Sequence, residues 1–156
     1  MIEKIKFLIL NFLNAIKSSI MPSKDLIPNP DNKTTSIFIE KSINTFRNRN
    51  SLIPFIHNNS LEKITIEYSY DMAKKNRIMY DMKGLRLSFM LHQNNIFCKN
   101  VHLIPVYSQH ECNPDDFTRE ILANTISRNI LLSDNFYYVA VAVFNNYCTV
   151  ILTSKF

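Results

Sequence analysis

The sequence predicts an α+β domain, with helices layered on a small antiparallel sheet. Three observations lead there. Apolar residues recur at helical spacing through the first half, as in Ile39, Ile43 and Phe46 and again in Leu61, Ile64, Tyr68 and Met72. The C-terminus carries two runs rich in Val, Tyr, Ile and Thr, "FYYVAVAVF" and "YCTVILT", on either side of Asn145-Asn146. The composition is ordinary for a globular chain: 156 residues, 46% hydrophobic, 12% aromatic and 20% charged. A chain of that length buries a core without disulfide or metal staples.

The elements follow in order. Residues 1–20 support two readings. Lys4 and Lys6 precede an apolar run from Phe7 to Ile16, as in a signal sequence, but Asn11 and Asn14 interrupt it and no small-x-small cleavage site follows. Alternatively Ile2, Ile5, Ile9, Phe12, Leu13, Ile16 and Ile20 form one face of an amphipathic helix that packs on the domain or lies on a membrane surface. The run is short of the ~20 residues a transmembrane span needs. Residues 21–33, with Pro22, Pro28 and Pro30, read as a linker. The folded domain is expected over 34–156.

A first helix is expected from Thr34 to Asn50, with Glu40, Lys41, Asn44 and Arg47 around its apolar face. Pro54 biases "SLIPF" toward an extended path. A second helix opens with Asn59 as N-cap and Glu62 completing a capping box, and ends near Lys75 or Asn76. Its Met and aromatic stripe reads as core. Leu85 to Leu91 reads as a short helix or loop. "NIFCKNVHLIPV" reads as a strand that Pro105 limits. In "NPDDFTREILANTISRNIL", Asn113 fits an N-cap, Pro114 the first helical position, and Asp115 and Asp116 the positive end of the helix dipole. Asn145-Asn146 then joins a closing hairpin, because Asn tolerates left-handed backbone.

Several function classes are disfavoured. The net charge is +5, yet Lys and Arg are spread along the chain, so nucleic acid is not expected as a partner. With one Gly, there is no phosphate loop, dinucleotide pattern or nucleophile elbow. Cys98, Cys112 and Cys148 allow at most one intrachain pair and contain no C-x-x-C. Two Asn-x-Thr/Ser words, at Asn32 and Asn58, are the matches an Asn-rich chain produces by chance. His110, Glu111, Cys112, Asp115 and Asp116 cluster in sequence without recognised ligand spacing and read as a polar loop. Glu67 and Asp71 read as an exposed face beside Lys63, Lys74 and Lys75.

The local words and their order carry a resemblance. Asn44-Thr45-Phe46-Arg47 stands as an N-x-x-R word in the first helix, and Ser69-Tyr70-Asp71-Met72-Ala73 as S-x-D-M-A in the second. Arg128-Asn129-Ile130-Leu131 matches R-x-N-I-L with one residue missing, and an aromatic (Phe136) precedes Val139-Ala140-Val141-Ala142-Val143, where the pattern has G-V-G-V. From about Ser36 to Phe156 the chain resembles the CAP superfamily (the cysteine-rich secretory, antigen 5 and pathogenesis-related proteins, or SCP domains) in its short bacterial form. The resemblance implies an α-β-α layered sandwich, a secreted or surface-exposed protein, and a central cavity in which two histidines and one or two glutamates can hold a divalent metal such as zinc.

This chain departs from the pattern at the cavity. Tyr80 stands where the first histidine would be. Cys98-Lys99-Asn100 replaces G-E-N, so Lys99 stands at the glutamate and Asn100 is retained, with a structural role expected for it. The second histidine falls at Ile126 or Ser127. The expectation is a degenerate cavity marked by Tyr80, Lys99, Asn100 and Ser127, with no metal, no cofactor and no catalytic residue. The protein would bind a protein partner or a small apolar ligand. Two rivals are a hydrolytic enzyme using His102, His110, Cys112 or Tyr80, and an interaction protein attached to a membrane through residues 1–20, a cytoplasmic location remaining open.

Overall fold

The computed structural model describes residues 9–11, 30–81 and 84–156. Most of the signal-like segment and of the linker lies outside the described residues. The first helix, α1 (Pro30–Arg49), opens at Pro30 and not near Thr34. Proline suits a first helical turn, where its missing N–H costs nothing. Asn32, Thr35 and Ser36 are already buried there, so part of the expected linker belongs to the domain.

A two-residue strand, β1 (Ile56–His57), follows the extended stretch and pairs in parallel with β3 (Tyr138–Phe144). Helix α2 (Asn59–Lys75) is capped by Asn58, whose side chain accepts from the Ser60 and Leu61 amides. The cap therefore lies one residue before Asn59, and Glu62 falls outside the capping-box position. Asn76 closes the helix in a left-handed conformation (φ 50°). Helix α3 (Leu85–Gln93) starts after Gly84, which sits at φ 65°.

Strand β2 (Val101–Tyr107) starts later than expected and runs through Pro105. The sheet order explains the tolerance: it is β1-β3-β4-β2, with β4 spanning Tyr147–Thr153, so β2 is an edge. The "NPDDF…NIL" stretch is two helices, α4 (Pro114–Ala123) and α5 (Thr125–Leu131). Asn113 and Pro114 act as expected. The break is at Asn124, whose backbone is extended and whose side chain caps α5 at the Ser127 amide. Asn145 turns the hairpin with φ 52°.

The sheet is covered on both faces, and alternation along the strands assigns each residue to one layer. Val139, Val141, Val143, Cys148, Val150 and Leu152 face α1, α4 and α5, packing with Ile39, Ile43, Phe117, Ile121 and Leu131. Ala140 and Ile151 face α2 and α3, packing with Leu61, Ile64, Tyr68, Leu87, Met90 and Leu91. Ala140 and Ala142 take ordinary strand angles in place of glycines. Being small, they let α2 approach until Ser69 Oγ donates to Ala142 O (2.8 Å) and contacts Thr149 Oγ1 (2.9 Å). Left-handed backbone is not confined to Gly84: Ser51, Asn76, Asn95, Cys112 and Asn145 adopt it too.

Candidate functional site

The residues of the N-x-x-R word are spent on the backbone. Asn44 exchanges two hydrogen bonds with Phe55, donating to its O (3.0 Å) and accepting from its N–H (2.8 Å). Arg47 is 2% exposed. It donates to Ile53 O (2.8 Å), Leu131 O (2.6 Å) and Ser133 O (2.8 Å), and its guanidinium lies 3.8 Å from the centre of the Phe55 ring. One side chain thus ties α1 to the chain before β1 and to the end of α5. Fixed planar donors make Arg suited to this. Ser69 and Met72 of the S-x-D-M-A word are likewise buried in the sheet contact.

Asp71 is not on a solvated face. It is paired with Arg86 of α3, and Arg86 stacks on Tyr68 at 4.4 Å. Burial, opposed by Arg86 and aided by Asp71, pushes Glu67 up to about 7.

The expected cavity positions separate into two groups. Tyr80 and Ser127 come together. Tyr80 borders two adjoining concavities along β2. One, about 520 Å³, is lined by Tyr80, Asp81, Gly84, Leu87, His102 and Leu103 among others. The other, about 350 Å³, includes Ile78, Tyr80, Pro105, Ile121, Asn124 and Ser127. Tyr80 is 69% exposed and its hydroxyl has no hydrogen-bond partner among the described residues. Ile126, the alternative to Ser127, is exposed and borders neither. Lys99 is also exposed and borders neither. Asn100 acts through its backbone: the N–H groups of Lys99 and Asn100 donate to Ser154 Oγ (3.0 and 3.1 Å), and Asn100 O accepts from the Ser154 amide (2.9 Å).

These groups do not fit a zinc ion. The cleft offers a phenol, hydroxyls, the carboxylates of Asp81 and Glu120 in separate concavities, and one half-buried imidazole, His102, whose pKa burial lowers. Among the described residues, no three His, Cys, Asp or Glu side chains form a group able to hold a metal.

Of the residues of the hydrolytic alternative, Tyr80 and His102 border one concavity, while His110 and Cys112 lie elsewhere with other partners. His110 Nδ1 pairs with Asp116 Oδ2 (2.5 Å), and Arg119 holds the other carboxylate oxygen (2.8 Å). Cys112 donates instead to Asn32 Oδ1 (2.8 Å), and Thr35 Oγ1 donates to Cys112 O (2.9 Å). Burial first, then the charges of Glu111 and Asp31, raises the Cys112 thiol pKa. All three cysteines are free thiols.

One polar cluster had no sequence signal. His57 Nδ1 donates to Glu40 Oε2 (2.9 Å) and Nε2 donates to Asn59 Oδ1 (3.1 Å), with Glu62 Oε2 at 3.8 Å. Acceptors on both nitrogens favour the imidazolium. Burial opposes that charge, but Glu40 and Glu62 outweigh it, and the pKa is raised. The cluster borders a groove of about 520 Å³ with Lys33, Ile37 and Lys41. Its members come from α1, β1 and α2, so only folding unites them.

With this geometry in view, the chain compares closely in fold with SCP domains. An extracellular protein containing an SCP domain from Bacillus anthracis superposes with a TM-score of 0.72 at 18% identity, over 83% of this chain and 45% of that one. A cysteine-rich secretory protein from Staphylococcus aureus gives 0.70 at 20% identity, over 82% and 40%. An outer surface protein from Borrelia burgdorferi gives 0.69 at 12% identity, over 80% and 96%. The chain thus spans less than half the length of the first two. No family model matches the chain, and no curated protein matches it by sequence. The class the fold defines is the CAP, or SCP, domain. The α-β-α layering of the chain is the one the resemblance implied.

Proposed function

We propose that this CAP-like domain acts by binding and not by catalysis, through the cleft that Tyr80 shares between the two concavities beside β2. The occupant is a protein partner or a small apolar ligand. The observation that carries the reading is the make-up of the cleft. Its walls include Ile78, Leu87, Leu103, Pro105 and Ile121, and the cavity positions Tyr80 and Ser127 offer a phenol and a hydroxyl in place of metal-ligating imidazoles. Such a lining suits apolar contact with a few orienting hydrogen bonds.

A secreted or surface location fits the same reading. Similar structures belong to an extracellular and an outer surface protein. No helix among the described residues is long and apolar enough to cross a membrane. N-terminal sequencing of the mature protein separates a cleaved segment 1–20 from a retained one that contacts the membrane surface.

The test of the binding reading is metal analysis. Protein purified without added metal and dialysed is expected to hold far less than one zinc per chain and to show no saturable zinc uptake by calorimetry. One zinc retained per chain, lost in Tyr80→Phe, would overturn it.

A further inference from the structure

The outer edge of β2 leaves a row of backbone groups unpaired among the described residues. The hydrogen bonds flanking β2 show which residues face inward. Ser154 N–H donates to Asn100 O and Ser108 N–H donates to Asn146 O, both 2.9 Å. With the register Val101↔Thr153 through Tyr107↔Tyr147, residues 100, 102, 104, 106 and 108 exchange bonds with β4. Val101, Leu103, Pro105 and Tyr107 therefore turn their backbone groups outward. Pro105 agrees, because its nitrogen has no hydrogen to give and occupies an outward place. Among the described residues, no backbone hydrogen bond from Val101, Leu103 or Tyr107 crosses that edge.

The edge is not a flat surface. Ile78 and Tyr80 stand across from it, and the two concavities of about 520 and 350 Å³ lie along the strand. Val101, His102 and Leu103 border the first, and Ile104 to Tyr107 the second.

We infer that the cleft binds an extended peptide segment of a partner protein, which adds to the sheet as a strand beside β2. The inference rests on the binding reading above and specifies its occupant. Outward N–H and C=O groups at alternate residues match only an extended backbone. A strand's alternate side chains point to opposite faces, so an apolar residue opposite Val101–Leu103 that points one way enters the concavity at Leu87 and Leu103, and one opposite Ile104–Tyr107 that points the other way enters the one at Ile121 and Ser127. Pro105 sets the register: it offers a carbonyl but no donor, so the peptide presents an N–H there and gains nothing from a carbonyl. The same proline disfavours a second copy of this chain, since paired β2 edges would carry the missing donor twice.

The experiment selects displayed random 12-residue peptides on the full chain and titrates a selected peptide into ¹⁵N-labelled protein. The amides of Val101, Leu103 and Tyr107 are expected to shift and gain protection from exchange, and those of His102, Ile104 and Val106 to keep the protection they have. Leu103→Pro removes one outward donor that the sheet does not use together with the Leu103 packing, and is expected to weaken the peptide at least ten-fold, whereas Leu103→Ala, which keeps the donor, is expected to lower the unfolding midpoint similarly and weaken the peptide less. If that variant unfolds, the amide pattern of the unsubstituted protein decides. Failure to select any peptide, protection elsewhere, or a dimer in sedimentation without peptide would overturn strand addition. A fluorescent fatty acid that binds the cleft, with peptides excluded, would overturn it too and leave the binding reading standing. Zinc retention is a separate measurement; it strikes the binding reading first, and with it the inference that rests there.

Discussion

The Arg47 corner and the β2 edge treat backbone polar groups in opposite ways. At the first, a buried guanidinium gathers the carbonyls of Ile53, Leu131 and Ser133, and Asn44 closes both groups of Phe55. At the second, a seven-residue strand keeps alternate backbone groups turned away from the sheet, beside an exposed Tyr80. Buried polar groups are costly without partners, so the corner is a closed structural device. The edge leaves its hydrogen-bonding capacity unused among the described residues. Polar residues in recognisable words thus hold the scaffold together, as Asn44, Arg47 and Ser69 do.

Arg47→Met presses hardest on this contrast. It leaves three carbonyls at a buried site, and a loss of roughly 3–5 kcal/mol is expected in denaturant unfolding. A loss under about 1 kcal/mol would mean water reaches the corner and the two regions differ little.

Glu67→Gln comes next. The folded-state pKa of Glu67 is raised from 4.5 to about 7, with burial the main cause. The neutral form is thus favoured by folding, and its contribution is full below pH 4.5 and lost as pH rises through about 7. The variant keeps a neutral side chain at every pH. It is expected to gain roughly 1–3 kcal/mol over the parent near pH 8 and nothing near pH 4. Equal stability curves at both pH values would place Glu67 in water.

Asn58→Ala removes the α2 cap and is expected to cost about 1 kcal/mol, against within about 0.5 for Asn59→Ala. The reverse order would restore Asn59 as the cap. Tyr80→Ala is the smallest effect, within about 0.5 kcal/mol by thermal unfolding, because the side chain is exposed. A large loss would show that the cleft, like the Arg47 corner, is part of the scaffold.

Much of the architecture was legible in residues 34–156. Periodicity placed Ile39, Ile43, Leu61, Ile64, Tyr68 and Met72 inside, and all are at most 1% exposed. Asn113 and Pro114 announced α4, and the Asn145-Asn146 hairpin followed from turn chemistry. These signals are local, and neighbours in sequence carry them. The cap at Asn58 slipped by one residue because adjacent asparagines are chemically equal and only backbone angles choose between them. The break at Asn124 was hidden because no Pro or Gly marks it, and Asn124 as a cap residue followed by Thr125 is the only local sign of it. Strand β1 is too short to show a period.

The sequence by itself determined the layered α+β class and the inward faces of the helices. Only the tertiary structure decided that Tyr80 and Ser127 border one cleft and Lys99 does not. It also decided that Glu40, His57 and Asn59 form one cluster, and that β2 is an edge rather than a central strand. Periodicity reports which side of an element is buried. It does not report which element lies opposite, because that depends on contacts between residues far apart in the chain.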